Sequence, residues 1–279
     1  MDTKILENPS LVCSFLMLLL FILIKIRHSL LCSRTKRAIQ IGNSQIQGSR
    51  DEQEDSFATV ENDHGLLAVL ADGMGGYSGG KQASSIVVNT FVEEFNNCEI
   101  NSTATFFENT SFLCNQKLLK LGNEVRSGST LAAVVIAKGY LNWISIGDSA
   151  IILWRDGELA NLNKKHTFQS KLEADYQSGK ISKKEMLNNP KKKRLTSYLG
   201  YDGLNEIELN KKPLKILPGD KVILCSDGVY NSISEIELEN ILALNLRPSK
   251  IAAQIMEKIS AKNDPHQDNA TVVILEYKS

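Results

Sequence analysis

Histidine is scarce in this chain, four in 279 residues. None of His64, His166 or His266 has a partner at metal-ligand spacing. Cysteine offers no more. Cys13, Cys32, Cys98, Cys114 and Cys225 are scattered, with no CxxC pair and no even framework. That pattern suggests a reduced compartment and argues against structural zinc and a disulfide scaffold. An excess of either charge is missing too, since Lys+Arg and Asp+Glu both number 32. Nothing in that balance points to nucleic acid. No internal repeat or low-complexity segment is visible. What remains is enough chain for one sizeable domain with an ordinary core and an appendage.

The appendage is the N-terminus. From Leu11 to Ile24 the run LVCSFLMLLLFILI carries no charge, and Lys25, Arg27, His28, Arg34, Lys36 and Arg37 follow closely. Fourteen helical residues rise about 21 Å, short of the roughly 30 Å hydrocarbon core. Asn8 to Ser10 and Ile26, with Lys25 and Arg27 snorkelling, bring the segment near a span. A cleaved signal peptide would want its positive charge before the run and a small-residue cleavage site after it, whereas here the cluster of positive charge comes after and no A-x-A pattern follows. A buried core helix is the other reading, but the run is apolar all round. The expectation is a single membrane anchor over residues 1–32 and a polar-basic linker over 33–42. The positive flank puts everything after it on the cytoplasmic side.

Beyond the linker, the stretch Leu66 to Gly80, LLAVLADGMGGYSGG, organises the rest. An apolar run stops at Asp72, and glycines follow at 73, 75, 76, 79 and 80. A buried strand ended by Asp-Gly delivers a carboxylate to the rim of a sheet, where glycine lets the backbone bend. The device returns at Val222 to Gly228, VILCSDG. Strands are also expected near Ile39–Gly48, after the acidic cluster at 50–55, over 129–137, 141–147 and the hairpin around Asp156-Gly157, and at 271–277. Helical spacing appears over 81–95, 106–121, 234–244 and 248–262, with Ser234 and Glu237 forming a capping-box pattern. Residues 163–205 are lysine-rich and read as an insert lying over the sheet. Many strands with helices arriving in pairs favour α+β with largely antiparallel sheet.

Asp55, Asp72, Asp148, Asp227 and Asp268 all stand where loops meet strands, beside Gly, Ser or Asn. Oxygen donors without His or Cys suit Mg²⁺ or Mn²⁺. A gathered set of carboxylates with no cation repels itself. Each position also has a plain reading. Asp-Gly is above all a turn dipeptide, and Asp156-Gly157 is read as a turn and nothing more. Asp148 could cap, and Asp268-Asn269 could be a strand-entry turn. Cys225 reads as core.

Arg50-x-x-Gln53-Glu54-Asp55, Ala71-Asp72-Gly73-Met74-Gly75-Gly76, Gly128-Ser129-Thr130, Ile146-Gly147-Asp148-Ser149, Cys225-Ser226-Asp227-Gly228 and Asp268-Asn269-Ala270-Thr271 occur in that order. Their order and contexts resemble the metal-dependent protein phosphatases of the type 2C class, the PPM family. The resemblance covers about residues 43–277, and Met74 in place of a histidine is similar to the bacterial branch. It implies a four-layer αββα sandwich with two antiparallel sheets, a metal centre at one end, and a phosphatase domain over 43–279 with a flap at about 163–205. It also implies that Asp55, Asp72 and the Gly73 carbonyl hold one ion. Asp72 bridges to a second held by Asp227 and Asp268, and Asp148 matches a third, weaker site. By the same resemblance Glu54 orients a metal-bound water, Arg50 grips phosphate, and water bridging two Mn²⁺ or Mg²⁺ ions hydrolyses phosphoserine or phosphothreonine in proteins. The implied partners are phosphorylated proteins and a cognate kinase, in signalling by dephosphorylation.

Four positions depart from the pattern: Lys165-His166 for Asp-His at the start of the flap, Ala150 for Arg, Leu195-Thr196-Ser197 without its Arg, and Asn231 for Asp. None removes an expected ligand of the two main ions. The competing readings are a catalytically weak type 2C-like sensing or scaffolding module, and a two-metal phosphoesterase acting on small molecules or nucleic acid. The complete aspartate set weighs against the first. The lack of His ligands and of a basic groove weighs against the second.

Overall fold

The structure, a computed structural model, describes residues 16–23, 25, 38–75, 79–97, 102–121, 127–204 and 206–278. It comprises two units, 1–38 and 39–279. In the first, residues 16–23 are helical. No helix among the described residues is long and apolar enough to cross a membrane. Most of the expected anchor lies outside the described residues.

The second unit is built on two sheets whose recorded pairings are all antiparallel. One has the order β1 (Ile39–Ile46), β12 (Ala270–Tyr277), β11 (Lys221–Cys225), β7 (Ala150–Arg155), β8 (Glu158–Asn161). The other runs β10 (Leu214–Lys215), β6 (Tyr140–Ile146), β5 (Leu131–Ala137), β3 (Gly65–Gly75), β2 (Asp55–Asn62). Two short strands extend the second sheet: β4 (Ser127–Ser129) pairs with β3, and β9 (Glu208–Leu209) with β6.

The layers follow from strand periodicity. Successive side chains of β3 point to opposite faces. Leu66, Ala68 and Leu70 therefore meet Ile151, Leu153, Val222, Leu224, Val273 and Leu275 of the other sheet. Leu67, Val69 and Ala71 meet helices α1 (Gly79–Asn97) and α2 (Thr103–Leu121), whose Val87, Phe91, Phe95, Phe106 and Phe107 are buried there. On the opposite outer face Ile152, Ile223, Val272 and Ile274 pack under three later helices. These are the single turn α5 (Asp227–Tyr230), α6 (Glu235–Leu242) and α7 (Pro248–Ser260). Strands buried on both faces read as unbroken apolar runs. The chain is thus an αββα sandwich.

Local chemistry agrees. Ser234 caps α6 in a reciprocal box with Glu237. Asp156 and Gly157 both take positive φ, 53° and 89°, in the β7–β8 hairpin, the conformation that a tight hairpin turn demands. Two expectations shift. β1 begins at Ile39, so the domain takes in four residues read as linker. β3 does not stop at Asp72: it runs on to Gly75 because Gly73–Gly75 pair with β4.

The insert carries α3 (Phe168–Gln177), capped by Thr167, and α4 (Lys183–Asn188), capped by Ser182 in a box with Glu185. Most of it is surface, as expected, but its return is not. Leu199 pairs with Ser129 and is wholly buried in the cluster under α1 and α2. At the other end His166 makes a double contact with Gly147: its own N–H donates to the Gly147 carbonyl at 2.8 Å, and its Nδ1 accepts the Gly147 N–H at 3.1 Å.

Only a neutral imidazole can accept at Nδ1. Burial lowers the His166 pKa from its ordinary value, so its anchoring is complete above the unbound value of about 6.5 and fades as pH falls through the lowered one. His166→Ala should raise amide exchange across 163–205 several-fold at neutral pH. Exchange in the sandwich strands should stay unchanged. Wild-type protein should approach the variant as pH falls through the lowered His166 pKa, once intrinsic exchange rates are corrected.

Candidate metal centre

Topology gathers the aspartates. Asp55 opens β2 directly opposite Asp72 of β3. Asp148 lies in the crossover from β6 to β7, Asp227 opens α5 immediately after β11, and Asp268 stands two residues before β12. Antiparallel neighbours begin where their partners end. All five carboxylates therefore fall at one end of the sandwich.

Asp55 is the most deeply fixed. Its Oδ2 accepts hydrogen bonds from the Ser226 and Thr271 hydroxyls, each at 2.7 Å, across 171 and 216 residues of sequence. These tie one sheet to the other. Its Oδ1 is buried with no hydrogen-bond partner among the described residues. Glu54 is held by its backbone, the N–H donating to Asn269 Oδ1 at 2.8 Å. Asn269 in turn donates to the Gln47 and Glu52 carbonyls, fixing the acidic loop. The Glu54 carboxylate lies against Gly80 in the first turn of α1. A Cβ on Gly80 would collide with Glu54 Oε1 and press on the Gly73 carbonyl. The glycines thus bring a carboxylate and a carbonyl oxygen to one point.

Each remaining acid has a partner of its own. Asp268 accepts from Arg50 at 2.6 Å, Asp148 from the Tyr230 hydroxyl at 3.2 Å, and Asp227 from the Asn231 amide at 3.3 Å. Asp72 is placed by its backbone, whose N–H donates to Thr130 Oγ1 while its carbonyl accepts from Thr130 N–H. Thr130 Oγ1 and Ser149 Oγ lie 2.7 Å apart.

The charges are strained. Burial raises the Asp72 pKa well above the usual carboxylate range, and Asp55, Asp227, Asp148 and Asp268 push it further. Asp55 and Asp148 are raised, first by burial. Asp227 is pushed up to about 7 by burial and then by Asp148, Asp268 and Asp55. Glu54 also rises, mainly by burial. Mutual repulsion of this kind is what a cation relieves.

No group of three or more His, Cys, Asp or Glu side chains among the described residues is arranged to hold a metal ion as it stands. The carboxylates are gathered, but those of Asp55, Asp148, Asp227 and Asp268 are turned to separate partners. The donor chemistry still fits a hard cation: oxygen atoms alone, an unpartnered Asp55 Oδ1, and charges short of compensation.

A family model described as Protein phosphatase 2C matches residues 41–267. The chain belongs to the protein phosphatase 2C family. The serine/threonine phosphatase stp of Listeria monocytogenes is 28% identical over 236 residues, 81% of this chain and 91% of that one. PstP of Mycobacterium tuberculosis is 30% identical over 215 residues, 75% of this chain and 40% of that one. Among solved structures, the Streptococcus agalactiae serine/threonine phosphatase superposes with a TM-score of 0.77 at 23% identity, over 86% of this chain and all of that one. The PstP catalytic domain solved with two manganese ions gives 0.70 at 24%, over 86% and 99%. These likenesses establish the αββα fold and the bacterial branch of the family.

Ser226, Thr271, Thr130, Ser149, Asn269 and Tyr230 had no role in the sequence reading. The first five stand inside the motif letters themselves, so the signal was the hydroxyl and amide residues that those motifs carry. Tyr230, two residues past Gly228, had no such signal.

Carboxylates raised in the folded state favour the protonated form. Their contribution to stability is present below the unfolded carboxylate range and is lost as pH rises through the folded values, near 7 for Asp227. Protein stripped with EDTA should therefore lose thermal stability between pH 5 and 8. Mn²⁺ should restore most at the upper end. At a hundredfold excess over Kd the gain is about 2.7 kcal/mol, on the order of 5–10 °C for a domain of this size. A melting temperature that rises with pH in EDTA would contradict the electrostatic account.

Proposed function

We propose that this chain, a protein serine/threonine phosphatase by family, hydrolyses phosphoserine and phosphothreonine in proteins using two Mn²⁺ or Mg²⁺ ions at the aspartate-rich end of the sandwich. The observation that carries the reading is the meeting there of Asp55, Asp72, Asp148, Asp227 and Asp268, four of them with raised pKa, beside the exposed guanidinium of Arg50. When bound, a pair of divalent cations acidifies a water and neutralises charge on a phosphoryl group.

The residues that would hold the ions are Asp72, Asp227, Asp268, Asp55 through its unpartnered Oδ1, and the Gly73 carbonyl. The Glu54 carboxylate stands beside that carbonyl. Arg50 grips substrate: its guanidinium is 54% exposed and engaged only at one edge by Asp268. A phosphate dianion competes for the same planar fork of donors. Ser226 and Thr271 keep Asp55 in place while charge shifts around it. Cysteine chemistry plays no part at Cys225, whose thiol is 1% exposed and pushed up to about 12 by burial. The alternative, a weakly catalytic sensing module, draws support from Asp268, Asp148 and Asp227 each accepting from a side chain of its own, Arg50, Tyr230 and Asn231.

Phosphate release from a phosphothreonine peptide separates the two. Residues 38–279 with Mn²⁺ should turn over and EDTA should stop it. Asp227→Asn should lose at least about 10²-fold in kcat. Arg50→Ala should mainly raise KM, with kcat/KM down about 10–100-fold. A folded Asp227→Asn protein that kept its metal-dependent rate would overturn the ligand assignment.

The same reading places the domain at the cytoplasmic face of a membrane, held by a single N-terminal helix and opposing a serine/threonine kinase. Its support is the uncharged run from Leu11 to Ile24 and the basic flank after it. Full-length protein should sediment with membranes, resist high salt and carbonate, and dissolve in detergent. Residues 38–279 should stay in the supernatant. Full-length protein released by carbonate would sink the anchor.

A further inference from the structure

One corner of the centre has a charge pattern unlike the rest. Asp148 and Asp227 line a cavity of about 370 Å³ together with Lys165, Tyr230 and Asn231, and Glu173, Lys192 and Lys193 of the flap face the same space. The Lys165 ammonium sits over the Tyr230 ring, 3.0 Å from its centroid, a contact that holds a half-desolvated cation in place. The hydroxyl of the same tyrosine donates to Asp148 Oδ2. Tyr230 thus touches the cation with its face and the anion with its edge. No carboxylate among the described residues pairs with Lys165 directly, so its charge acts across the cavity on Asp148 and Asp227 together. On the other side Asn231, a neutral amide, donates to Asp227 Oδ2. Lys165 and Asn231 are two of the positions at which this chain departs from the family pattern. Both departures remove negative charge, and both fall on this corner.

We infer that the Lys165 ammonium is the resident counter-ion of the Asp148–Asp227 corner and keeps a divalent cation from binding there. This rests on the two-ion reading above and deepens it. Three carboxylates and three lysines line this cavity, and its Asp148–Asp227 end needs a positive charge held close to it; Lys165 is the lysine whose charge bears on the Asp148 carboxyl. A tethered ammonium provides it at no cost in free metal. A divalent ion entering the same cavity would meet that ammonium in a poorly solvated space, where like charges repel strongly. Lys165 is also the first turn of chain into the flap, fixed by the neighbouring His166–Gly147 contact. The counter-ion is therefore positioned by the flap anchor and by the first turn of α3, where the Ser170 hydroxyl donates to the Lys165 carbonyl at 2.7 Å.

Counting bound Mn²⁺ tests this without measuring turnover. Full-length protein is titrated by calorimetry, and stoichiometry is checked by metal analysis after equilibrium dialysis in millimolar Mn²⁺. Wild type should hold two ions, and Asp148→Asn should still hold two. Lys165→Asp should take up a third, weaker ion. Lys165→Gln, which removes the charge without adding a ligand, should take it up more weakly than Lys165→Asp. Circular dichroism and the melting temperature confirm that the variants fold. Three ions in wild type, one of them lost in Asp148→Asn, would overturn the inference. So would Lys165→Asp and Lys165→Gln both remaining at two. Fewer than two ions in wild type would instead overturn the two-ion reading itself.

Discussion

Like charges forced together at one end of a sandwich are the constraint on which the rest of this structure depends. Asp55 and Asp72 face each other across adjacent strands, an arrangement that is unfavourable for a sheet by itself. Three more aspartates converge on them because β6 and β11 end, and β7 and β12 begin, at the same end. A folded chain tolerates this only if protonation, separate partners or cations offset the repulsion. The repulsion shows in the raised pKa values of Asp55, Asp72, Asp148 and Asp227, and hydrogen bonds from Arg50, Tyr230, Asn231, Ser226 and Thr271 fix four of the five carboxylates.

The scaffold that enforces the convergence is apolar and continuous. Three stacked clusters fill the spaces between α1–α2, the two sheets and α6–α7. None of the charged residues belongs to them. What connects the core to the site is a small set of hydroxyls and one amide. Ser226 and Thr271 join the sheets through Asp55, Thr130 and Ser149 lie between Asp72 and the β6–β7 crossover, and Asn269 holds the loop before β2. Hydrogen bonds to a buried charge are worth about 1.5–3 kcal/mol each. Their larger effect is geometric, since they fix where an anion sits while leaving its other oxygen available.

Much of this was legible in the sequence. Apolar runs of strand length, the Asp156-Gly157 turn and the Ser234–Glu237 box report local physics, and local physics decided those elements. The aspartates were legible for a related reason: each stands where a loop meets a strand, beside Gly, Ser or Asn. What stayed hidden was long-range. Nothing near Gly73 announces that β3 continues, because its partner Ser129 lies over fifty residues away. Leu199 gives no sign within a lysine-rich insert that it will pair with that same Ser129 and enter the core. The orientation of most carboxylates was equally out of reach, since the partners of Asp55, Asp148 and Asp268 lie 82 to 218 residues away.

The flap is then best understood as two parts with different physics. Its helices α3 and α4 are capped, lysine-rich and largely exposed, so they can change without disturbing the sandwich. Its two ends cannot. Leu199 is locked into the helix-side core, and His166 grips Gly147, the residue before Asp148. A segment pinned at both ends beside the carboxylates transmits little of its own motion to them, yet it fixes the residues at its roots. Lys165 occupies one such root, over Tyr230. Charge placed at a root is held as rigidly as the strands, whereas charge on the helices is free to meet whatever approaches. Substitutions in α4 therefore alter encounter, and substitutions at 165 and 166, or at Ser170 and Glu173 of α3, alter the centre itself.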